Sequence, residues 1–431
     1  MRLTTSQLIV FACVALVVIY GALLFTCIAP GLQSCNTPAA KITAKLSFWG
    51  VSENAKGYEP AFQEFKKTYP GVEITYRGFP SVSQYESALL DALASGNSPD
   101  LFMLSHRGTR KWLNKITPIP QALFTPAMLR ASFPQVVEHD FISQGQIIAL
   151  PLSIDTLALY YNRDLLDQSA LTVPTTWTEL TRAVPRLTLT DASRVLRRSA
   201  IALGGTEESV ANASDILTLL MMQNGVPMTN PEGTQASFST SQGADALRFY
   251  TQFADTRTES YTWNEGMRSR EDFAGEKVAM VLDYASAEAS LIKKNAFLNF
   301  DIAPVPQVES ANKPLSVANY WGYTVSRTSV NPSLAWEFIR MMTTNTQVAD
   351  ASFAITKNPP ALRALIAKHL NDPHTGVFAR QALIARSWLQ PSAESVAETF
   401  SRVIGLVISN QSNPSDALSH AAQTITSLLT Q

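Results

Sequence analysis

Pro151–Leu166 reads PLSIDTLALYYNRDLL, and the fold turns on how this stretch is read. One acidic residue, Asp155, stands among Leu152, Ile154, Leu157, Ala158 and Leu159, and the stretch leaves through Tyr160-Tyr161-Asn162-Arg163-Asp164. Alternation and β-branching predict an extended segment. Its length, and a carboxylate set in apolar surroundings, suggest a strand running between two bodies. The plainer reading is a buried strand whose Asp155 faces water.

Outward from it, the chain has room for two or three folding units: 431 residues, 46% hydrophobic and 16% charged, describe a globular protein and not a disordered one. A formal net charge of -1, without any Lys/Arg run, argues against a nucleic-acid partner. The cysteines, Cys13, Cys27 and Cys35, all precede residue 36. The body after them therefore has no disulfide framework, thiolate metal site or cysteine nucleophile.

Leu8–Ile28 is uncharged, with Arg2 before it and Pro30-Gly31 after it. About twenty apolar residues span a bilayer core as a helix, whereas a cleavable signal core is shorter, roughly 7–15. Residues 1–40 thus read first as an uncleaved membrane anchor. A lipoprotein signal ending at Leu32-Gln33-Ser34-Cys35 and a plain cleaved signal are the alternatives. All three place the body outside the cytoplasm.

Lys45–Gly50 (KLSFWG) reads as a strand, Tyr58–Phe65 as a helix, Val72–Tyr76 as a strand, Gln84–Ala94 as a helix and Asp100–Leu104 as a buried strand. This order gives βαβ units on a parallel sheet, with ligands expected beyond the strands' carboxyl ends. Further on, Thr176–Glu179 is a capping box, Ala200–Gly205 a short strand, and Asp215–Gln223 and Ala244–Phe253 are helices. Val278–Leu282 is a strand ending at Asp283-Tyr284, Asn331-Pro332 starts a helix, and the last quarter is helical.

KLSFWG, SPDLFML (98–104), PLSIDTLALYYNRDLL followed by PTTWTEL (174–180), and FAGEKVAM (273–280) occur in an order and spacing that resembles the family 1 extracellular solute-binding proteins. These are the maltose-binding-protein-like components of ABC importers, and the likeness covers about residues 43–431. The resemblance implies an α/β, two-lobed periplasmic-binding-protein-like fold with a hinge crossed three times, here preceded by one N-terminal hydrophobic helix. The crossings would fall near Ser153–Thr156, Pro314–Asn319 and Phe353–Lys357. The N-lobe would be 43–153 with 318–354, and the C-lobe 154–316 with 355–431. The implied partners are a small-molecule solute, most often a sugar, the permease subunits of an ABC importer, and the membrane through the N-terminal helix. No cofactor or metal is expected.

The resemblance puts Asp155 at the position of an acidic ligand contact. Strand ends supply the other candidates. Trp49 is either a ligand face or core packing, and Glu53 a ligand group or a helix cap. Ser105 and His106, ahead of Arg107, follow the third strand, His106 with a surface-loop alternative. Asp283 and Tyr284 end a later strand or form a turn. Trp321 sits beside Gly322, whose missing side chain would permit close approach. Trp388 and, less so, Trp263 are further aromatics. Two other functions share these residues: an exported glycoside hydrolase using Asp155 and Asp283 as its carboxylate pair, and a ligand-binding module for a membrane sensor. His369 and His374 lack helical i,i+4 spacing and read as loop decoration.

Overall fold

The computed structural model describes residues 42–51, 54–193, 195–309 and 313–430. The N-terminal anchor reading and Glu53 lie outside them. Among the described residues, no helix is long and apolar enough to cross a membrane.

Three strands come early in the chain, β1 (Ala44–Gly50), β2 (Val72–Gly78) and β3 (Leu101–Ser105). The middle of the chain supplies β4 (Ala158–Asn162), β5 (Leu196–Ile201), β6 (Val278–Asp283) and β7 (Phe300–Ala303), and β8 (Ser316–Asn319) and β9 (Trp321–Ser326) follow. β1 pairs in parallel with β2, from Ala44↔Val72 to Gly50↔Gly78, and with β3 on its other side. The helices Glu59–Thr68 and Val82–Ala94 make the crossovers. β9 returns antiparallel to β3, bringing Trp321 opposite Ser105. In the second sheet β5 and β6 are parallel, and β4 lies antiparallel between β6 and β7. Every residue of β6 is buried, as expected for a strand covered on both faces.

The opening stretch is not one strand. Leu150–Pro151 pairs with β9 in the first sheet, Asp155–Thr156 pairs with β8 in a small third sheet, and β4 is central to the second. Two cores result. The first gathers Phe48, Tyr58, Tyr323 and Phe338 around one aromatic cluster, with Phe48 meeting Tyr58 and Tyr323 edge-on at 4.9 and 5.8 Å. The second gathers Leu157–Tyr160, Val278–Leu282 and the C-terminal helices Ala393–Ile408 and Pro414–Leu429. Core membership changes between Ile154 and Leu157 and between Val317 and Ala318.

A third change differs from the boundary the resemblance suggested. Leu362, Leu365 and Ile366 pack in the first core, although residues 355–431 were expected in the second lobe. The cause is local pairing: Ile154 N–H donates to Pro359 O (3.0 Å) and Ala361 N–H to Leu152 O (3.1 Å). Arg363 Nε then donates to Phe133 O at 2.8 Å and holds the next helix to the first core.

Gly322 also departs from its expected role. A Cβ there would stand 2.7 Å from the Phe141 ring and 2.7 Å from Ala149 Cβ, so the glycine serves core packing and not ligand approach. Gly322→Ala is expected to cost about 1–3 kcal/mol as overpacking. Thermal unfolding checks it, and an unshifted midpoint would show that Phe141 moves aside freely.

Candidate functional site

Where the second sheet meets the opening stretch, carboxylates and their partners gather. Asp155 is half-buried. Its Oδ1 accepts the N–H groups of Thr156 and Ala285, both at 2.8 Å, and its Oδ2 accepts that of Ser286 at 3.2 Å. Burial pushes this carboxyl up to about 7, the three N–H donors pull against it, and nearby Asp283 adds to the rise. Asp283 is 1% exposed and fully engaged. Arg270 holds it through two bonds, at 2.6 and 2.8 Å, while Asn212 Nδ2 donates at 2.9 Å and Tyr284 N–H at 2.8 Å.

Tyr284 is buried, and its hydroxyl donates to Asp215 Oδ2 at 2.7 Å. Burial, then the Asp215 charge, holds that hydroxyl well above its ordinary pKa. Arg107 Nη2 reaches the same Asp215 oxygen at 2.8 Å and the Tyr284 hydroxyl at 3.4 Å. Arg107 stands at the strand end where ligands are expected, whereas Asp215 is not among the candidates read from the sequence. The signal was available: a carboxylate inside the apolar helix Ala213–Gln223 needs a partner, because burying it unpaired is costly.

The first body presents aromatic side chains along the sheet edge where β1 and β2 end and β9 begins. Trp49 lies 5.3 Å from Phe79, Phe79 5.6 Å from Tyr85, and Tyr85 6.0 Å from Trp321. Trp49 and Trp321, the two ends of this row, are half-buried. The Arg77 guanidinium stands 4.6 Å over the rings of both Trp49 and Phe79. Arg77, Phe79 and Tyr85 join the row only through packing of β2, the turn after it and the helix Val82–Ala94 beside Trp49 and Trp321, which the local sequence does not reveal. Ser105 is half-buried, and its Oγ accepts Arg107 N–H at 3.2 Å.

Two expected site residues lie elsewhere. His106 is a core histidine, neither a surface loop residue nor a group facing the Asp155 cluster: its ring stacks on Tyr320 at 4.7 Å and 9°. Its Nε2 accepts from Arg107 Nε at 3.3 Å, and Nδ1 lies 3.3 Å from Asp140 Oδ2. Burial lowers the His106 pKa although Asp140 pulls it upward. Burial works against the Asp140 charge, yet His106 and His139 hold its carboxyl well below the usual range. Trp388 packs edge-on against Phe238 at 6.4 Å in the second core and, with His106, lines a cavity. Trp263 is fully buried, with Nε1 donating to Ser209 Oγ at 3.0 Å. His369 is tied to Asp350 and Asp372, and His374 to Glu288. Among the described residues, no group of His, Cys, Asp and Glu is arranged to hold a metal ion.

Two α/β cores, with aromatic faces at the strand ends of one and engaged carboxylates on the other, define a two-lobed binding protein. The chain belongs to the bacterial extracellular solute-binding protein family, whose pattern matches residues 50–349. It is similar to the maltodextrin-binding protein MdxE of Bacillus subtilis (strain 168), 24% identical over 350 residues, with 78% of each chain covered. It is also similar to the maltotriose-binding protein of Pyrococcus abyssi (strain GE5 / Orsay), 21% identical over 372 residues, covering 81% of this chain and 73% of that one. In fold it matches the crystal structure of the cyclic alpha-maltosyl-1,6-maltose binding protein from Arthrobacter globiformis, with a TM-score of 0.75 and 15% identity, covering 90% of this chain and 100% of that one.

A pH dependence follows from Asp155. Its folded pKa, about 7, exceeds the ordinary carboxylate value, so between roughly pH 4 and 7 the folded state holds the proton that the unfolded state has lost. The contribution of Asp155 to stability is therefore greatest at low pH and falls as pH rises through that window. Asp155→Asn removes the dependence. The unfolding midpoint of the parent minus that of the variant should fall from pH 4.5 to 7.5, and a flat difference would show that Asp155 titrates normally.

Proposed function

We propose that the chain captures an oligosaccharide between its lobes and delivers it to the permease of an ABC importer. One lobe would be built on the first core and the other on the second, with the passages at 154–157 and 317–318, and the stretch 377–388 in which residues of the two cores alternate, acting as the hinge. Ligand that touches both lobes favours the closed arrangement, because only there are all contacts made. The observation that carries the reading is the row from Trp49 to Trp321, which offers flat apolar faces at half-exposed positions. Such faces suit the C–H surfaces of a sugar, and Asp155, Ser286 and Arg270 are the kind of polar groups its hydroxyls would need. The relatives named for maltodextrin and maltotriose support an α-linked glucan as the solute class. The family description places the body outside the cytoplasm, and the uncharged run Leu8–Ile28 is long enough to tether it beside the permease.

The hydrolase alternative draws no support from the carboxylate pair. Asp283 is held by Arg270 through both oxygens, so it is free neither as nucleophile nor as base.

A thermal-shift screen against maltose, maltotriose, maltotetraose and non-glucan controls tests the proposal. A ligand at about 100 times its Kd stabilises by ~2.7 kcal/mol. Trp321→Ala and Asp155→Ala should each abolish the shift given by the glucan. A shift that survives in both variants would move the site elsewhere, and release of glucose from maltotriose would replace capture by hydrolysis.

A further inference from the structure

The turn Arg107-Gly108 and the start of the 3-10 helix Thr109–Lys115 leave the first body, and this loop grips the second. It is rooted in the first core by His106, stacked on Tyr320, and by buried Trp112. Its two arginines reach across. Arg107 pairs with Asp215 at 2.8 Å, both side chains being only 9% exposed, and contacts the Tyr284 hydroxyl. Asp215 rides on a helix whose Ile216, Leu217, Leu219 and Leu220 belong to the second core, as does Tyr284. Arg110 Nη1 donates to Gly233 O at 2.9 Å and its Nη2 to Glu232 O, both in the turn between Met228 and Ala236 of that core. Between the arginines, Gly108 takes a left-handed φ of 68°, and a Cβ there would stand 2.8 Å from Pro391 O. Only glycine allows both the turn and the close approach.

These bonds exist only while the bodies are together. When they part, both charges of the Arg107–Asp215 pair return to water, so the desolvation saved offsets most of the attraction lost. A grip of this kind is strong enough to bias an equilibrium and weak enough to release. We propose that this loop is a clasp that holds the two bodies closed before solute arrives. On the capture reading above, it also raises solute affinity without touching the solute, because a larger closed population binds more tightly.

The test uses the full chain with Cys13, Cys27 and Cys35 changed to serine and spin labels introduced at exposed Gln84 and Glu208, one in each body. Electron–electron distance measurement without ligand should give a narrow distribution for the parent. Arg107→Met should shift and broaden it, and Arg110→Met should do so to a lesser degree. The double variant Arg107→Met/Asp215→Asn leaves no charge stranded, and so decides the matter if the single variant folds poorly. An unchanged distribution in the double variant overturns the clasp. In a parallel titration with maltotriose, the variants should bind on the order of tenfold more weakly than the parent. Equal affinity would overturn the second consequence, and a parent that ignores maltotriose would overturn the glucan reading while the distances still judge the clasp.

Discussion

A backbone that passes from one apolar core to another must satisfy its N–H and C=O groups at every step, because buried peptide groups are costly to leave unpaired. Residues 150–162 meet this constraint by joining a different sheet every few residues. Pro151 pairs on β9, Asp155–Thr156 on β8, and Ala158–Asn162 between β6 and β7. The short interruptions, at Leu152–Ile154 and Leu157, turn to Pro359, Ala361 and Val317 for their bonds. The passage is thus pinned along its length by bonds to both bodies.

The same constraint gathers the charges. β6 ends at Asp283, inside a sheet buried on both faces, and Asp155 sits on the short strand that precedes β4. Neither carboxylate can remain unpartnered there. Asp283 is served by Arg270 and Asn212, Asp215 by Arg107 and Tyr284, and Asp155 by peptide N–H groups alone. The one that lacks a cation is the one whose pKa rises to about 7. Peptide dipoles orient a carboxylate well but do not repay its full cost of burial, which is why the proton competes.

Much of the architecture was readable from local pattern. β1, β2, β3 and the helices between them follow from alternation, one-face periodicity and the breakers Tyr69-Pro70-Gly71 and Gly96–Pro99. The capping box at Thr176–Glu179 forms as its spacing requires. The division of 151–162 among three sheets was not readable, because partners such as Ser316–Asn319 and Pro359–Ala361 lie far along the chain and leave no trace in the segment itself. The site divides in the same way. Trp49, Trp321 and Asp155 could be picked as strand-end or crossing residues. His106 and Trp388 could not be told from core residues, since an aromatic or imidazole ring at a strand end is equally suited to stacking on Tyr320 or packing on Phe238. Arg107 and Asp215 become meaningful only when the two bodies are side by side.

The carboxylates Asp215 and Asp283 on the second body are already bonded to other protein groups. A solute hydroxyl entering there must exchange a bond and not add one, and exchange yields little net free energy. Affinity then has to come from elsewhere. On the capture reading, the half-buried rings of Trp49 and Trp321 would supply apolar area, and burying it is favourable regardless of what the hydroxyls do. The engaged carboxylates have a different effect: each rejects a ligand group that cannot replace the bond it breaks, so they act on selectivity more than on strength. A closed arrangement held in part by protein–protein bonds completes this division. On the clasp proposal, it would lower the share of closure that the solute must drive, so that an exchangeable ligand could be both retained by the lobes and released when they part.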